Sequence, residues 1–256
     1  MSDSNVEHLT NHGWCVLPKV LVGSELTEAR AALQRAVAKS TQRGNPTHVP
    51  TLDPNPSSVR VFNLLDLDRC FRELITHPLA IDAVHRTIGE HFLISNFTAN
   101  IARPGARSMQ PHSDLAIVFP GPWLQCWSLN VIWCLDDVDE DVGATRYLPG
   151  SHRATAREQL PDDLLRNMRP FEANAGDVIV MDGRLWHTSG DNTSLDRERA
   201  MLFGYYSASF LRPQVNWNAA LSVETQASVS PELRRRLGLD VAGNVAHASY
   251  VAQPES

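Results

Sequence analysis

His112 and Asp114 stand two apart in the segment Gln110-Pro-His-Ser-Asp114, and His187 ends the run Asp177-Val-Ile-Val-Met-Asp-Gly-Arg-Leu-Trp-His187. Two imidazoles and one carboxylate are the protein half of a non-haem iron site. They cap one face of the metal and leave the other positions open for a cosubstrate and dioxygen. An alternating strand accounts for the close pair, because residues i and i+2 point to the same side. The distant histidine then has to arrive on a second strand laid alongside, as a β-barrel allows. A lone H-x-D pair occurs by chance in many proteins, so its setting decides.

The elements that must position these residues change character along the chain. Residues 13 to 18 alternate as a short strand. Ser24 is the expected N-cap of a helix from Glu25 to about Lys39, with Leu26, Ala29, Leu33 and Ala36 on one face. Gly44, Pro46, Pro50, Pro54 and Pro56 make residues 43 to 58 a loop. Such a long loop either borders a substrate mouth or merely joins elements. Helices are expected near 67–76 and 78–89, separated by Pro78, and strands at 92–102, 112–119, 125–135, 144–148, 177–182 and 199–210. Short helices are expected at Pro161 to Met168 and near 231–237. Helices first and antiparallel strands afterwards give a mainly β, α+β chain: a double-stranded β-helix, or cupin-like jelly-roll barrel. One domain is expected over 1–256, with a helical part at about 20–90, a barrel at about 91–212 and an extension at about 213–256.

Composition narrows the function classes. With 43% hydrophobic and 20% charged residues the chain can bury a core, and a net charge of −6 argues against a nucleic-acid surface. Arg234, Arg235 and Arg236 read as a solvated helix face. Cys15, Cys70, Cys126 and Cys134 show no C-x-x-C pair, so they are expected reduced, in keeping with a cytoplasmic location. The polar, acidic N-terminus does not read as a signal peptide, and no apolar stretch approaches a membrane span. The expected partner is a small-molecule substrate, with neither nucleic acid nor membrane; a homodimer is compatible with the sequence.

Around the candidate ligands lies a resemblance. Gly143-Ala-Thr-Arg-Tyr-Leu-Pro-Gly-Ser-His-Arg153, the turn Gly176-Asp177, and Asn192-Thr-Ser194 leading to Arg199 are similar to the phytanoyl-CoA dioxygenase (PhyH) family of iron(II)/2-oxoglutarate-dependent oxygenases. So are His12-Gly-Trp-Cys-Val-Leu-Pro18 with Leu21-Val-Gly-Ser-Glu-Leu26, and Ile94 to Gly105. The similarity runs from about residue 8 to about residue 212, with a looser echo at Ser230 to Leu239. The resemblance implies Fe(II), 2-oxoglutarate and O2, with His112, Asp114 and His187 on the metal. His152, in the Pro149-Gly-Ser-His152 turn, is the rival for the distal position. His187 is preferred because a Gly-Asp turn and an apolar strand lead into it. Related halogenases carry a small residue in place of the carboxylate, so Asp114 implies oxygen transfer.

A guanidinium suits the distal carboxylate of 2-oxoglutarate, since its planar fork pairs bidentately. The family's spacing falls between Arg197 and Arg199; Arg199 is preferred because it starts a strand, on one face with Met201, Phe203 and Tyr205. Gln110, Asn130 and Thr145 are polar residues in apolar strands, expected to meet the cosubstrate or substrate, or else to bond to backbone. Thr188, Ser189 and Asn192 add local hydrogen bonds or shape turns. Trp123, Trp127, Trp133 and Trp186 are expected in core and pocket wall, and Arg103 and Arg107 as loop charges. His8, His12, His48, His77, His85, His91 and His247 lack partners at ligand spacing. The expected activity is hydroxylation of a C–H bond in a small, partly apolar metabolite, a biosynthetic intermediate. Desaturation, epoxidation or endoperoxide formation use the same cofactors, and a non-catalytic ligand-binding barrel is the reading from another class.

Overall fold

The computed structural model describes residues 1–119, 121 and 123–240; His247 and the rest of the extension lie outside the described residues. The strands are β1 (Trp14–Leu17), β2 (Ser58–Val61), β3 (Phe92–Ala102), β4 (Ser128–Cys134), β5 (Arg146–Tyr147), β6 (Arg169–Pro170), β7 (Val178–Asp182), β8 (His187–Thr188) and β9 (Arg199–Ala208). They form a six-stranded sheet in the order β1-β7-β4-β9-β3-β2 and a three-stranded sheet in the order β6-β5-β8. Every named pairing is antiparallel, the two-sheet arrangement of a jelly-roll.

Strand alternation divides the larger sheet into two faces. On β4, Leu129, Val131 and Trp133 join the core that includes the N-terminal helices, whereas Ile132 and Cys134 join an inner cluster with Ile179, Met181 and Met201. All seven residues of β4 are buried, as expected for a strand covered on both sides. The outer layer is α1 (Asp3–His12), α2 (Ser24–Gln42), α3 (Leu64–Leu67), α4 (Arg69–Ile75) and α5 (Pro78–Thr87). α2 buries Ala29, Leu33 and Ala36 of the expected stripe and Ala32 beside them, while Leu26 is only half-buried. Asp66 in α3 ties the helical layer to the C-terminal part: it pairs with Arg43 at 2.8 Å and accepts from the Ser222 amide and hydroxyl at 2.9 and 2.7 Å. Burial alone would raise this carboxyl, but hydrogen bonds from Ser222, Thr225 and Arg43 hold it down at about 2.

Several elements differ from the sequence reading. α1, α3 and β2 were not expected, and the cap of α2 is Gly23 at φ 53° with no side-chain bond, so Ser24 is already helical. Residues 112–119 are not a strand. His112 makes an isolated β-bridge, and Asp114–Ile117 is a 3₁₀ turn. β3 spans the expected residues but has a register shift between Ile94 and Asn96. Cys15, Cys70, Cys126 and Cys134 are free thiols. Among the described residues no helix is long and apolar enough to cross a membrane.

Candidate metal centre

Backbone pairing brings the first two candidate ligands together. The His112 amide donates to the His187 carbonyl at 2.9 Å, and the His187 amide donates back at 2.8 Å. The two rings lie 4.4 Å apart between centroids. Each Nδ1 sits against a backbone carbonyl two residues upstream: His112 with Gln110 at 3.0 Å, His187 with Leu185 at 2.9 Å. A carbonyl only accepts, so each Nδ1 carries the proton and each Nε2 presents a lone pair. Burial holds the His187 pKa below its ordinary value despite the nearby Asp114 carboxylate, which keeps the ring neutral.

Asp114 reaches the pair from the 3₁₀ turn rather than from strand alternation. Its Oδ1 is 4.0 Å from His112 Nε2 and 3.8 Å from His187 Nε2. Two bonds to the Gly183 carbonyl, from the Ser113 hydroxyl at 2.8 Å and the Leu115 amide at 3.0 Å, fix the turn. Gly183 is required there: a Cβ would lie 1.9 Å from Ser128 Oγ and 3.0 Å from Ser128 O. All three ligand atoms lie within 4.8 Å of one another, and this is the one such cluster found among the described residues. The donor set fits a divalent iron with positions left over.

His187 therefore occupies the distal position, though not at the end of one strand. β7 stops at Asp182, and a turn carries the chain across to β8 in the smaller sheet. His152 is buried apart from the cluster, with Nε2 3.3 Å from the Thr10 carbonyl and its ring where a Cβ on Gly13 would fall.

The three ligands open onto a cavity of about 360 Å³ that also includes Asn100, Asn130, Thr145, Arg199, Phe203 and Tyr205. A larger hollow of about 510 Å³ between Leu148 and Arg169 contains none of the triad, so it is not the seat of this chemistry. Arg199 is 1% exposed. It donates to Asn100 Oδ1 at 3.0 Å and to the Gly143 carbonyl at 2.7 Å, and its buried Nε has no partner. Burial pushes its pKa down to about 10, still protonated at neutral pH. No carboxylate pairs with Arg199 among the described residues. A buried cation with donors to spare calls for an acceptor-only anion, and the distal carboxylate of 2-oxoglutarate fits. Gly143 admits no side chain: at φ 78°, a Cβ would lie 2.9 Å from Gly190 O and 3.1 Å from Asn192 N.

Arg197 is instead an exposed residue paired with Asp139 at 2.8 Å. Thr145 and Asn130 are buried and line the cavity. Gln110 is a correction: its side chain is exposed and absent from the lining, and only its main-chain carbonyl serves the site, through His112. Of the tryptophans expected in core and pocket wall, Trp133 is fully buried in the core, but none of Trp123, Trp127, Trp133 and Trp186 reaches the cavity wall, where Phe62, Phe203 and Tyr205 supply the aromatic surface. Thr188 donates to the Met109 carbonyl and Asn192 to Ala102 and Arg197, so both shape turns. Arg103 and Arg107 face Glu198 and Asp191 as exposed loop charges.

Sequence reasoning missed Asn100, Arg60 and Asp53. Asn96, Thr98 and Asn100 recur at period two along β3 and all line the cavity, a pattern that could have identified them. Arg60 lines the cavity too, but Asp53 neutralises it through two bonds of 2.7 and 2.9 Å. Asp53 and the lining residue Leu52 belong to the proline-rich loop, which therefore borders the cavity.

The Phytanoyl-CoA dioxygenase (PhyH) family model matches residues 9–201. Dioxygenase af480 of Aspergillus fumigatus is 49% identical over 248 residues, covering 96% of this chain and 80% of that protein. Dioxygenase FUM3 of Gibberella moniliformis is 28% identical, covering 93% and 76%. Among solved structures, SnoK, a non-heme alpha ketoglutarate dependent carbocyclase from nogalamycin biosynthesis, superposes with a TM-score of 0.67 at 22% identity, covering 90% of this chain and 92% of that one. HygX from Streptomyces hygroscopicus, with nickel and 2-oxoglutarate bound, gives 0.68 at 16% identity, covering 83% and 89%.

Proposed function

We propose that this chain, which belongs to the phytanoyl-CoA dioxygenase family and is a non-haem iron(II)/2-oxoglutarate-dependent dioxygenase, hydroxylates a C–H bond of a small, uncharged, partly apolar metabolite of natural-product type. The observation that carries this reading is Arg199, a buried guanidinium without an anionic partner in the cavity that holds the triad. His112, Asp114 and His187 are the residues that would hold iron, and Arg199 the one that would hold the distal carboxylate of 2-oxoglutarate.

With both bound, the metal and cosubstrate supply the oxidising power: dioxygen and 2-oxoglutarate are consumed, succinate and carbon dioxide leave, and the substrate C–H becomes C–OH. The chain's own residues do the rest. The carbonyls of Gln110 and Leu185 hold the imidazole protons on Nδ1, so both Nε2 atoms stay available. Asn100 and the Gly143 carbonyl hold the Arg199 fork in place before any ligand arrives. Met109, Phe203 and Tyr205 exclude water from the space beside the triad.

Substrate charge follows from the lining. Arg60 is cancelled by Asp53 and Arg199 is reserved for the cosubstrate, so the lining offers no further cation for a phosphate-rich ester. Leu52, Phe62 and Phe203 suit apolar carbon, and the polar side chains Asn96, Thr98 and Gln214 suit a few oxygen functions. The test is incubation with iron(II), 2-oxoglutarate and a metabolite extract in air, following succinate and product masses. Succinate together with a gain of one oxygen is expected. A loss of two hydrogens reassigns the outcome to desaturation, and absence of succinate with every extract rejects the enzyme.

A further inference from the structure

Asn130 lies on the inner face of β4, 6% exposed, in the antiparallel row with Tyr205 of β9 and Met181 of β7. Its Nδ2 donates to Asp114 Oδ2 at 2.5 Å. The other carboxylate oxygen, Oδ1, is the one near both imidazole Nε2 atoms. The two oxygens of Asp114 are thus given different work: one faces the histidines, the other is tied to an amide.

We propose that Asn130 is the positioning residue that makes Asp114 a one-oxygen ligand, leaving the cosubstrate contacts to other residues. The inference rests on the metal centre proposed above. A carboxylate with both oxygens free can chelate an ion and take a second coordination position. Tying Oδ2 to an N–H removes that option and keeps that position open for dioxygen.

Donor and acceptor accounting supports the same assignment. A carboxylate only accepts, so the NH₂ of Asn130 must face Asp114, and its carbonyl then points elsewhere. That carbonyl oxygen is buried and has no partner. 2-Oxoglutarate offers only acceptors at its keto group and two carboxylates, so it cannot satisfy this atom. A hydroxyl on the substrate, or a water, can. Arg199 has the opposite surplus, unused donors, and takes the anion. The two residues divide the cavity between ligands of opposite hydrogen-bonding character.

The test is cobalt(II) titration of the full chain and of Asn130→Leu, a change of similar volume that removes the N–H and also the partnerless carbonyl. The variant is expected to bind cobalt about 10–100-fold more weakly. Its visible d–d spectrum should also shift as a second Asp114 oxygen replaces a water on the cobalt, a change that loosened packing alone would not produce. The 2-oxoglutarate affinity of the cobalt-saturated variant should match the parent. Should Asn130→Leu fail to fold, Asn130→Ser, too short to reach Oδ2, carries the same expectations. Parental cobalt affinity and spectrum in the variant overturn the proposal. So does a tenfold loss of 2-oxoglutarate affinity with cobalt binding intact, which returns Asn130 to the cosubstrate. If the parent itself binds no cobalt, the metal centre fails first.

Discussion

His112 and His187, seventy-five positions apart in the chain, exchange both of their backbone hydrogen bonds. The spacing between two metal ligands is therefore set by main chain, and no side-chain contact is needed to hold it. Removal of an imidazole should leave the bridge standing.

His112→Ala, Asp114→Ala and His187→Ala should each abolish iron(II) binding while the far-ultraviolet circular dichroism stays that of the parent. His152→Ala should do the reverse: iron affinity is kept, and stability falls by about 2 kcal/mol because a buried ring is lost from beside the Gly13 turn. Calorimetric iron titration and thermal melting read the two effects separately. Iron binding by His187→Ala together with its loss in His152→Ala would reverse the assignment of the distal ligand.

Arg199→Ala should weaken 2-oxoglutarate binding by about 3–5 kcal/mol, roughly a hundredfold to several thousandfold, and leave iron affinity alone. Arg197→Ala removes an exposed pair with Asp139 and should change either affinity by less than about 1 kcal/mol. Binding of 2-oxoglutarate to the manganese(II) form checks both variants without turnover.

Supplied with chloride and its substrate, the parent should give only oxygenated or desaturated product, because Asp114 holds the position that halide takes in related halogenases. Asp114→Gly should lose hydroxylation, with chlorination low at best, since chloride has also to be retained. Mass spectrometry with its isotope pattern decides; a chlorinated product from the parent would remove Asp114 from the metal.

Asp66→Asn should destabilise the protein at neutral pH by about 1–3 kcal/mol, through loss of charge-assisted hydrogen bonds to Arg43 and Ser222. The folded-state carboxyl titrates at about 2, below its ordinary 3.8, so its stabilisation is complete above about pH 4 and fades as pH falls through 2. Denaturant melts of parent and variant should therefore differ most above pH 4 and converge near pH 2. A constant difference across that range would place the effect in packing.

What could be read from the sequence follows the length of each element's signal. β3 was legible at both ends because an eleven-residue run in which apolar and branched side chains predominate outweighs any local preference. The iron ligands were legible through their setting, the Pro149-Gly-Ser-His152 and Gly176-Asp177 segments in order around them, since an H-x-D pair alone is common. Their local geometry was not. The H-x-D spacing suits a strand, yet Asp114 opens a 3₁₀ turn held by the Gly183 carbonyl, which Ser113 and Leu115 reach from far away in the chain. Gln110 was misjudged for the same reason: beside Pro111 and outside a strand, its side chain is free to turn to solvent. β2 escaped notice because four residues next to a proline-rich loop carry little pattern, and its pairing with β3 decides its conformation. Arg60 and Asp53 were invisible as a pair, since nothing local links a loop aspartate to a strand arginine.

The hold on Arg199 has a less obvious consequence. One of its two anchors is the carbonyl of Gly143, a residue with no side chain to remove. An alanine scan subtracts atoms at most positions, but at this one it adds one, into a space closed by the main chain of Gly190 and Asn192. A survey reading only side chains would score the cosubstrate pocket as untouched and find the enzyme dead. Catalogues of natural variants invite the same error. A glycine-to-alanine change, conventionally the mildest of replacements, is here predicted to act at a distance on the grip for 2-oxoglutarate.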